Sequence, residues 1–251
     1  VSVFIIGEAG SCHEGDLDKC RQLIDVAADA GCSAVKFQYW SSPRQMQLRR
    51  NIPAPAYDTG SIKPEWFPEL RTWSHSAGLQ FMCTVYLPED VEFVDTYVDR
   101  HKISSFECLD RILLEKVKQT GKIFYVSLGM TDIAERSKVR NLVNSNAILM
   151  HCVSAYPCPK LQASLGRIER GMGYSDHTGY FATGSLAVAA GAMDLEVHFR
   201  LWDTEPTCPD YPVALNPSHL ECYVALAKEA YQMRFGSSTL EDNNRNHRVV
   251  R

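Results

Sequence analysis

No stretch of this 251-residue chain approaches the ~18 to 20 consecutive apolar residues of a membrane-spanning helix. The amino terminus, VSVFIIGEAGSC, has neither a basic segment nor an extended apolar core, so a secretory leader is not expected and the cytoplasm is the default compartment. Basic residues are in short supply: 26 Lys and Arg stand against 30 Asp and Glu, a formal net charge of -4. No basic stripe interleaved with aromatics occurs, which excludes nucleic acid and anionic membrane as expected partners. Cysteine is not scarce, but its number, nine, is odd and no CxxC pair occurs. A zinc ribbon or a disulfide framework is therefore not expected, and buried free thiols are. Also missing are a GxGxxG turn after the first apolar run and a phosphate-loop lysine signature, which removes the usual marks of a doubly wound nucleotide-binding sheet.

What the chain does have is 45% hydrophobic residues spread along its length, enough for a sizeable core. Short β-branched apolar runs alternate with helix-period segments, the grammar of repeated βα units. Candidate strands are 3–7, 34–38, 79–84, 101–104, 123–127, 147–151, 171–173 and 194–198. Candidate helices follow them at 17–30, 64–77, 89–98, 111–119, 132–144, 161–170, 179–190 and 217–233. Eight such units within residues 1–236 predict a (β/α)8 TIM barrel of the α/β class, a single domain. Segment 41–63, rich in Pro and Arg, reads as a functional loop.

In this fold chemistry sits at the carboxyl ends of the strands. Those ends carry Glu8, His13 and Glu14, Lys36 and Gln38, Thr84, Lys102 with Ser105 and Glu107, Ser127, Ser154 and Tyr156, Ser175 and His177, and His198. Side chains alternate along a strand, so Lys36 and Gln38 share one face, as do Ser175 and His177. A lysine in an apolar strand needs an anion or a carboxylate beside it. Two of them among hydroxyls suggest a phosphate or carboxylate ligand, the alternative being barrel-mouth ion pairs with Glu8, Glu14 or Glu107. His177 and His198 fall at the ends of the last two strands, where two imidazoles can share a divalent ion with open positions for water or substrate. Glu196, on the same face as His198, is placed to orient it. The arginines of 44–50 read as a solvated loop face, with an anion clamp as the alternative.

GEAGSCHEG, AGCSAVKFQ, KISSFE, SLGM, LMHCVSAYPCP, GYSDHTG, EVHF and PDYPVALNP occur in the order and spacing of the sialic acid synthase family, which the chain resembles over nearly its whole length. KISSFE is similar to the pseudaminic acid synthase branch. The resemblance implies condensation of phosphoenolpyruvate with an N-acetylated amino-sugar aldehyde to a nine-carbon 2-keto acid, with release of phosphate and a requirement for Mn2+ or Mg2+. It implies that Lys36, Thr84, Lys102, Ser105, Ser127, Ser154 and Ser175 bind phosphoenolpyruvate and that His177 and His198 hold the metal. Gln38, Glu107, Tyr156 and Asp210 face the sugar, Asp176 lies in the substrate-binding GYSDHT motif, and Glu14 completes the mouth. On the same resemblance, Glu107, Glu14, Lys36, Lys102 and His177 are the expected catalytic set. Cys12, Leu128, Ser154 and Ala214 depart from the usual pattern, which bears on the sugar more than on the reaction. NNRNHRVVR, within 237–251, resembles the start of the linker to the family's antifreeze-like domain. In the family that domain crosses to a partner barrel, so a homodimer is implied. A pyruvate aldolase and a non-catalytic binding barrel are the competing functions.

Overall fold

The computed structural model of the protein describes residues 2–51 and 60–236. The tail 237–251, and the part of segment 41–63 at 52–59, lie outside the described residues. Eight parallel strands close into one ring in chain order: β1 (Phe4–Glu8), β2 (Ala34–Tyr39), β3 (Gln80–Val85), β4 (Arg100–Ile103), β5 (Phe124–Ser127), β6 (Ala147–His151), β7 (Gly173–Asp176) and β8 (Asp194–His198). Closure comes from β1 on β8, in a register that pairs Glu8 with His198. The (β/α)8 expectation is met.

Among the described residues eight helices accompany the ring: α1 (Leu17–Asp29), α2 (Pro43–Arg50), α3 (Phe67–Ser76), α4 (Val91–Asp95), α5 (Arg111–Gln119), α6 (Ile133–Leu142), α7 (Thr183–Ala190) and α8 (Pro217–Phe235). Local chemistry sets their starts. Asp16 caps α1 by accepting from the Asp18 and Lys19 amides, and Asp110 caps α5 by accepting from Ile112 and Leu113. Asp132 and Glu135 form a reciprocal capping box on α6, and Asn216 with Pro217 at the first helical position opens α8. α1 turns Cys20, Leu23, Ile24 and Ala27 onto the outer face of the barrel, the apolar stripe of an amphipathic helix.

Three expected elements differ. Segment 161–170 is not a helix but two single 3-10 turns, Lys160–Gln162 and Leu165–Arg167, because Ser164 between them takes a left-handed conformation (φ 51°) that no α-helix tolerates. Segment 41–63 is not loop throughout, since Ser42 caps α2 and Pro43 opens it. The seventh strand lies two residues later than its apolar pattern suggested, at Gly173–Asp176.

Alternation of side chains stacks the barrel interior in layers. At the amino-terminal end Arg100 lies over the Phe4 ring, 3.9 Å from its centroid, and donates to Gln80 and to Tyr125, which donates to Asp194. Above this floor Ile6, Ala34, Met82 and Met150 pack without a gap to solvent. The next inward residues are Glu8, Lys36, Thr84, Lys102, Ser127, Ser175 and Glu196, all buried and all polar.

Candidate active site

That polar layer is the base of a cavity of about 460 Å³ at the carboxyl-terminal mouth of the barrel. Lys36, Gln38, Thr84, Lys102, Ser105, Ser127, Ser154, Tyr156, Ser175, His177, His198 and Asp210 all line it, so twelve residues expected from the sequence converge on one site.

Four charges dominate its base. Lys36 Nζ lies 2.5 Å from Glu8 and 3.6 Å from Glu196, and donates to Thr84 Oγ1 at 2.7 Å. Lys102 Nζ donates to Glu196 Oε1 at 2.8 Å, and Ser175 Oγ donates to the same oxygen. The two carboxylates respond oppositely. Burial pushes Glu8 above the usual carboxylate range despite Lys36. Glu196 is equally buried, yet the ammonium groups of Lys102 and Lys36 hold it well below that range. Glu8 is thus the carboxylate that most readily takes a proton. Once it does, two lysines face one carboxylate and the base of the cavity carries a net positive charge.

Hydroxyls complete the floor on the side of β4 to β6. Gly129 follows β5 so closely that a Cβ there would stand 2.5 Å from Ser154 Oγ, 2.6 Å from Cys152 Sγ and 3.1 Å from Ser105 Oγ, and its amide donates to Ser105. Only glycine lets these groups converge. Ser127 Oγ is buried with no hydrogen-bond partner, an unmet capacity of the kind that a bound ligand fills.

His177 Nδ1 lies 2.7 Å from the Val153 carbonyl. A carbonyl only accepts, so Nδ1 carries the proton and Nε2 presents a lone pair to the cavity. Burial, and then the neighbouring His198, lower its pKa to about 3, which keeps the ring neutral. Tyr156 stacks on His177 at 4.2 Å between ring centroids and donates to Nε2 at 2.9 Å, and the His198 ring stands 5.5 Å from His177. Two imidazoles facing one open cavity fit a divalent ion that would replace the Tyr156 hydrogen bond. Among the described residues no group of three or more His, Cys, Asp or Glu has the geometry to hold a metal, so further positions would fall to water or substrate. Asp210, behind His198, is tied to the loop after β1 by the Ser11 amide and hydroxyl, both at 2.7 Å. Gly10 makes that approach feasible, because a Cβ there would meet Asp210 Oδ2 at 2.4 Å.

Three expected site residues do not line the cavity. Asp176 alternates outward from Ser175 and His177, and accepts from the Thr178 amide in the layer between β7 and the helices. Glu14 binds Lys19 and accepts from the Glu205 amide at 2.9 Å, joining two loops at the rim. Glu107 is buried beneath Arg50. Glu196 hydrogen-bonds Lys102 and Ser175 rather than orienting His198. Conversely, Arg50, Tyr86, Ser104, Phe106 and Met130 line the cavity without having been singled out as site residues. Of these, Ser104 and Phe106 fall within KISSFE and Met130 within SLGM, while Arg50 belongs to the arginine run and is turned inward by α2 instead of being left solvated.

Residues 23–238 match the NeuB family. The chain belongs to the NeuB family. Similar chains include an uncharacterized protein of Methanocaldococcus jannaschii, 32% identical over an alignment of 233 residues that covers 87% of this chain and 68% of the relative. The N,N'-diacetyllegionaminic acid synthase of Campylobacter jejuni is 30% identical over 247 residues, 86% of this chain and 73% of that one. Among solved structures, the sialic acid synthetase of Leptospira borgpetersenii in complex with citrate superposes with a TM-score of 0.89 at 26% identity, covering 99% of this chain and 92% of that one. Family resemblance and fold therefore agree. No helix among the described residues is long and apolar enough to cross a membrane.

Proposed function

We propose that this NeuB-family barrel condenses phosphoenolpyruvate with an N-acetylated amino-sugar aldehyde, forming a nine-carbon 2-keto acid and releasing phosphate. The observation that carries this reading is the buried Lys36–Lys102 pair beside Glu8, whose carboxyl burial pushes above the usual range. A small ligand bearing both phosphate and carboxylate matches two ammonium groups ringed by hydroxyls, each charge-assisted hydrogen bond contributing about 1.5 to 3 kcal/mol. Names of the relatives support the reaction class: legionaminic, pseudaminic and N-acetylneuraminate-9-phosphate synthases are among them.

In this reading Lys36, Lys102 and Thr84 bind the anionic groups, with Ser105, Ser127, Ser154 and Ser175 supplying neutral donors. Glu8 takes a proton as the dianion enters, which limits the negative charge gathered at the base of the cavity. Gln38, held by the Tyr86 hydroxyl at 2.7 Å, and Asp210, held by Ser11, present an amide and a carboxylate to the sugar hydroxyls. Tyr156 covers the imidazoles and can move, being half exposed. His177 and His198 would hold Mn2+ or Mg2+, which when bound would supply polarisation of the aldehyde oxygen. Glu107 acts on the sugar through Arg50. The test is incubation with phosphoenolpyruvate, Mn2+ and a panel of N-acetylated hexosamines, read by phosphate release and product mass. Release of phosphate with a product of the summed carbon skeleton is expected. Product formed from pyruvate without phosphate would replace the synthase with an aldolase, and no product with any sugar would leave a binding barrel.

A further inference from the structure

Cys12 and Cys208 lie 196 residues apart in sequence, yet their sulfurs are 3.7 Å apart and share a hydrogen bond. Among the described residues no other pair of cysteines does so. Cys12 belongs to the loop after β1 and Cys208 to the loop after β8, the two strands that close the barrel. Cys12 is fully buried and Cys208 is 6% exposed. Ser11 Oγ bridges Cys208 Sγ, at 3.3 Å, to Asp210, at 2.7 Å, so two hydrogen bonds through Ser11 link the pair to the cavity wall. The conformations of both loops are already those in which the sulfurs meet.

We propose that Cys12 and Cys208 are a modification site, a dithiol that a hydroperoxide converts to a disulfide, and that closure displaces Asp210 and slows turnover reversibly. The hydrogen bond with Cys12 brings the Cys208 thiol down to about 7 against the opposing effect of burial, and a thiolate is the attacking form. Cys208 attacks one peroxide oxygen, breaking the O–O bond and giving a sulfenic acid; the other oxygen leaves as hydroxide and is protonated to water. Cys12 then attacks the sulfenic sulfur, the S–S bond forms, and a second water leaves with the thiol proton. The two thiols are oxidised by two electrons and the peroxide is reduced by two. A disulfide needs its sulfurs at about 2.05 Å, so they must approach from 3.7 Å by under 2 Å. Because Cys208 and Asp210 share Ser11, that approach is transmitted to the carboxylate. A contact misplaced by about 1 Å costs up to ~10²-fold in rate, and a fall of about tenfold is expected.

The bond itself is independent of the synthase reading, whereas its effect on turnover rests on it. The full chain is treated with hydrogen peroxide and then digested without reduction. The expected result is a Cys12–Cys208 cross-linked peptide, a loss of two hydrogen masses, reversal by dithiothreitol, and no cross-link in Cys12→Ser or Cys208→Ser. Phosphate release should fall on oxidation in the unsubstituted chain, recover on reduction, and resist peroxide in Cys12→Ser. Sulfinic acid at Cys208 without a cross-link, or linkage to a different cysteine, overturns the proposed pair. A cross-link that leaves turnover unchanged overturns the control of Asp210. A chain that makes the cross-link but releases no phosphate in either state refutes the synthase reading and leaves the disulfide established.

Discussion

The Arg50 guanidinium spans both oxygens of Glu107, with Nη2 at 2.5 Å from Oε2 and Nε at 3.1 Å from Oε1, while its carbon lies over the rings of Tyr86 and Phe106 at 4.8 and 5.0 Å. A planar fork matched to a carboxylate and sandwiched by aromatics is an arrangement lysine cannot reproduce. Arg50 forms the cavity wall and Glu107 fixes its position.

Loss of Arg50 should therefore be felt by the sugar. Arg50→Ala and Arg50→Lys are expected to raise KM for the amino sugar about tenfold or more, the scale of one charge-assisted hydrogen bond, with little change in phosphoenolpyruvate affinity. Glu107→Gln should act in the same direction, and the double variant should be no worse than Arg50→Ala alone. Steady-state kinetics decide this; additive losses would mean that Glu107 has a role of its own.

Lys36 serves both the fold and the ligand, and the two roles separate experimentally. Lys36→Met leaves Glu8 and Glu196 short of a cation, and removal of one partner from a buried ion pair costs about 3 to 5 kcal/mol. Adding Glu8→Gln removes the stranded charge. The double variant should regain most of the stability in denaturant titrations yet still fail to bind phosphoenolpyruvate in calorimetry.

With only two imidazoles facing the cavity, a divalent ion should exchange readily. Treatment with a chelator is expected to abolish synthase turnover, Mn2+ or Mg2+ to restore it, and the melting temperature to change little, unlike the closed sites that hold structural zinc. Undiminished turnover after chelation would sink the metal assignment.

Asp176 predicts a pH dependence of stability unrelated to turnover. Burial raises its pKa from 3.8 to about 6, against the lowering hydrogen bonds from Thr178. A carboxyl that binds its proton more tightly when folded contributes stability fully present below the unfolded pKa and lost as pH rises through the folded value. Asp176→Asn should match the unsubstituted protein near pH 3.8 and exceed it above about pH 6, by up to about 3 kcal/mol for a shift of about two pKa units. Chemical denaturation across that range measures it.

Fold and charge centre differed in how openly the sequence displayed them. The βα alternation is carried by the outward faces of the strands, which pack on helices and must be apolar, so seven of the eight strand positions were readable to within a residue or so. β7 was not, because Tyr174 is its one large outward side chain and its inward Ser175 belongs to the polar mouth. Alternation alone placed Ser175 and His177 inward, and the same rule turns Asp176 outward, where motif membership pointed the other way. Glu196 was visible as an inward residue of β8, but its pairing with lysines on β2 and β4 depends on the circumference of the barrel, which no local pattern encodes. Arg50 needed α2, whose weak apolar signal, a single buried Met46 among polar residues, hides it in an apparently solvated run.

Ring closure through β1 and β8 also bears on the order in which the chain is made. Lys36 and Lys102 leave the ribosome well before Glu196, which joins them only when β8 slots beside β1. Until then the nascent interior holds two ammonium groups and one carboxylate, Glu8, an imbalance that low-dielectric surroundings strongly oppose. A partial barrel of seven strands lacks the carboxylate that pairs with Lys102, so the last strand is expected to consolidate the ring in one step. Chains ended before residue 194 should remain open to protease on a ribosome or in solution, with protection appearing abruptly, not strand by strand, once β8 is included.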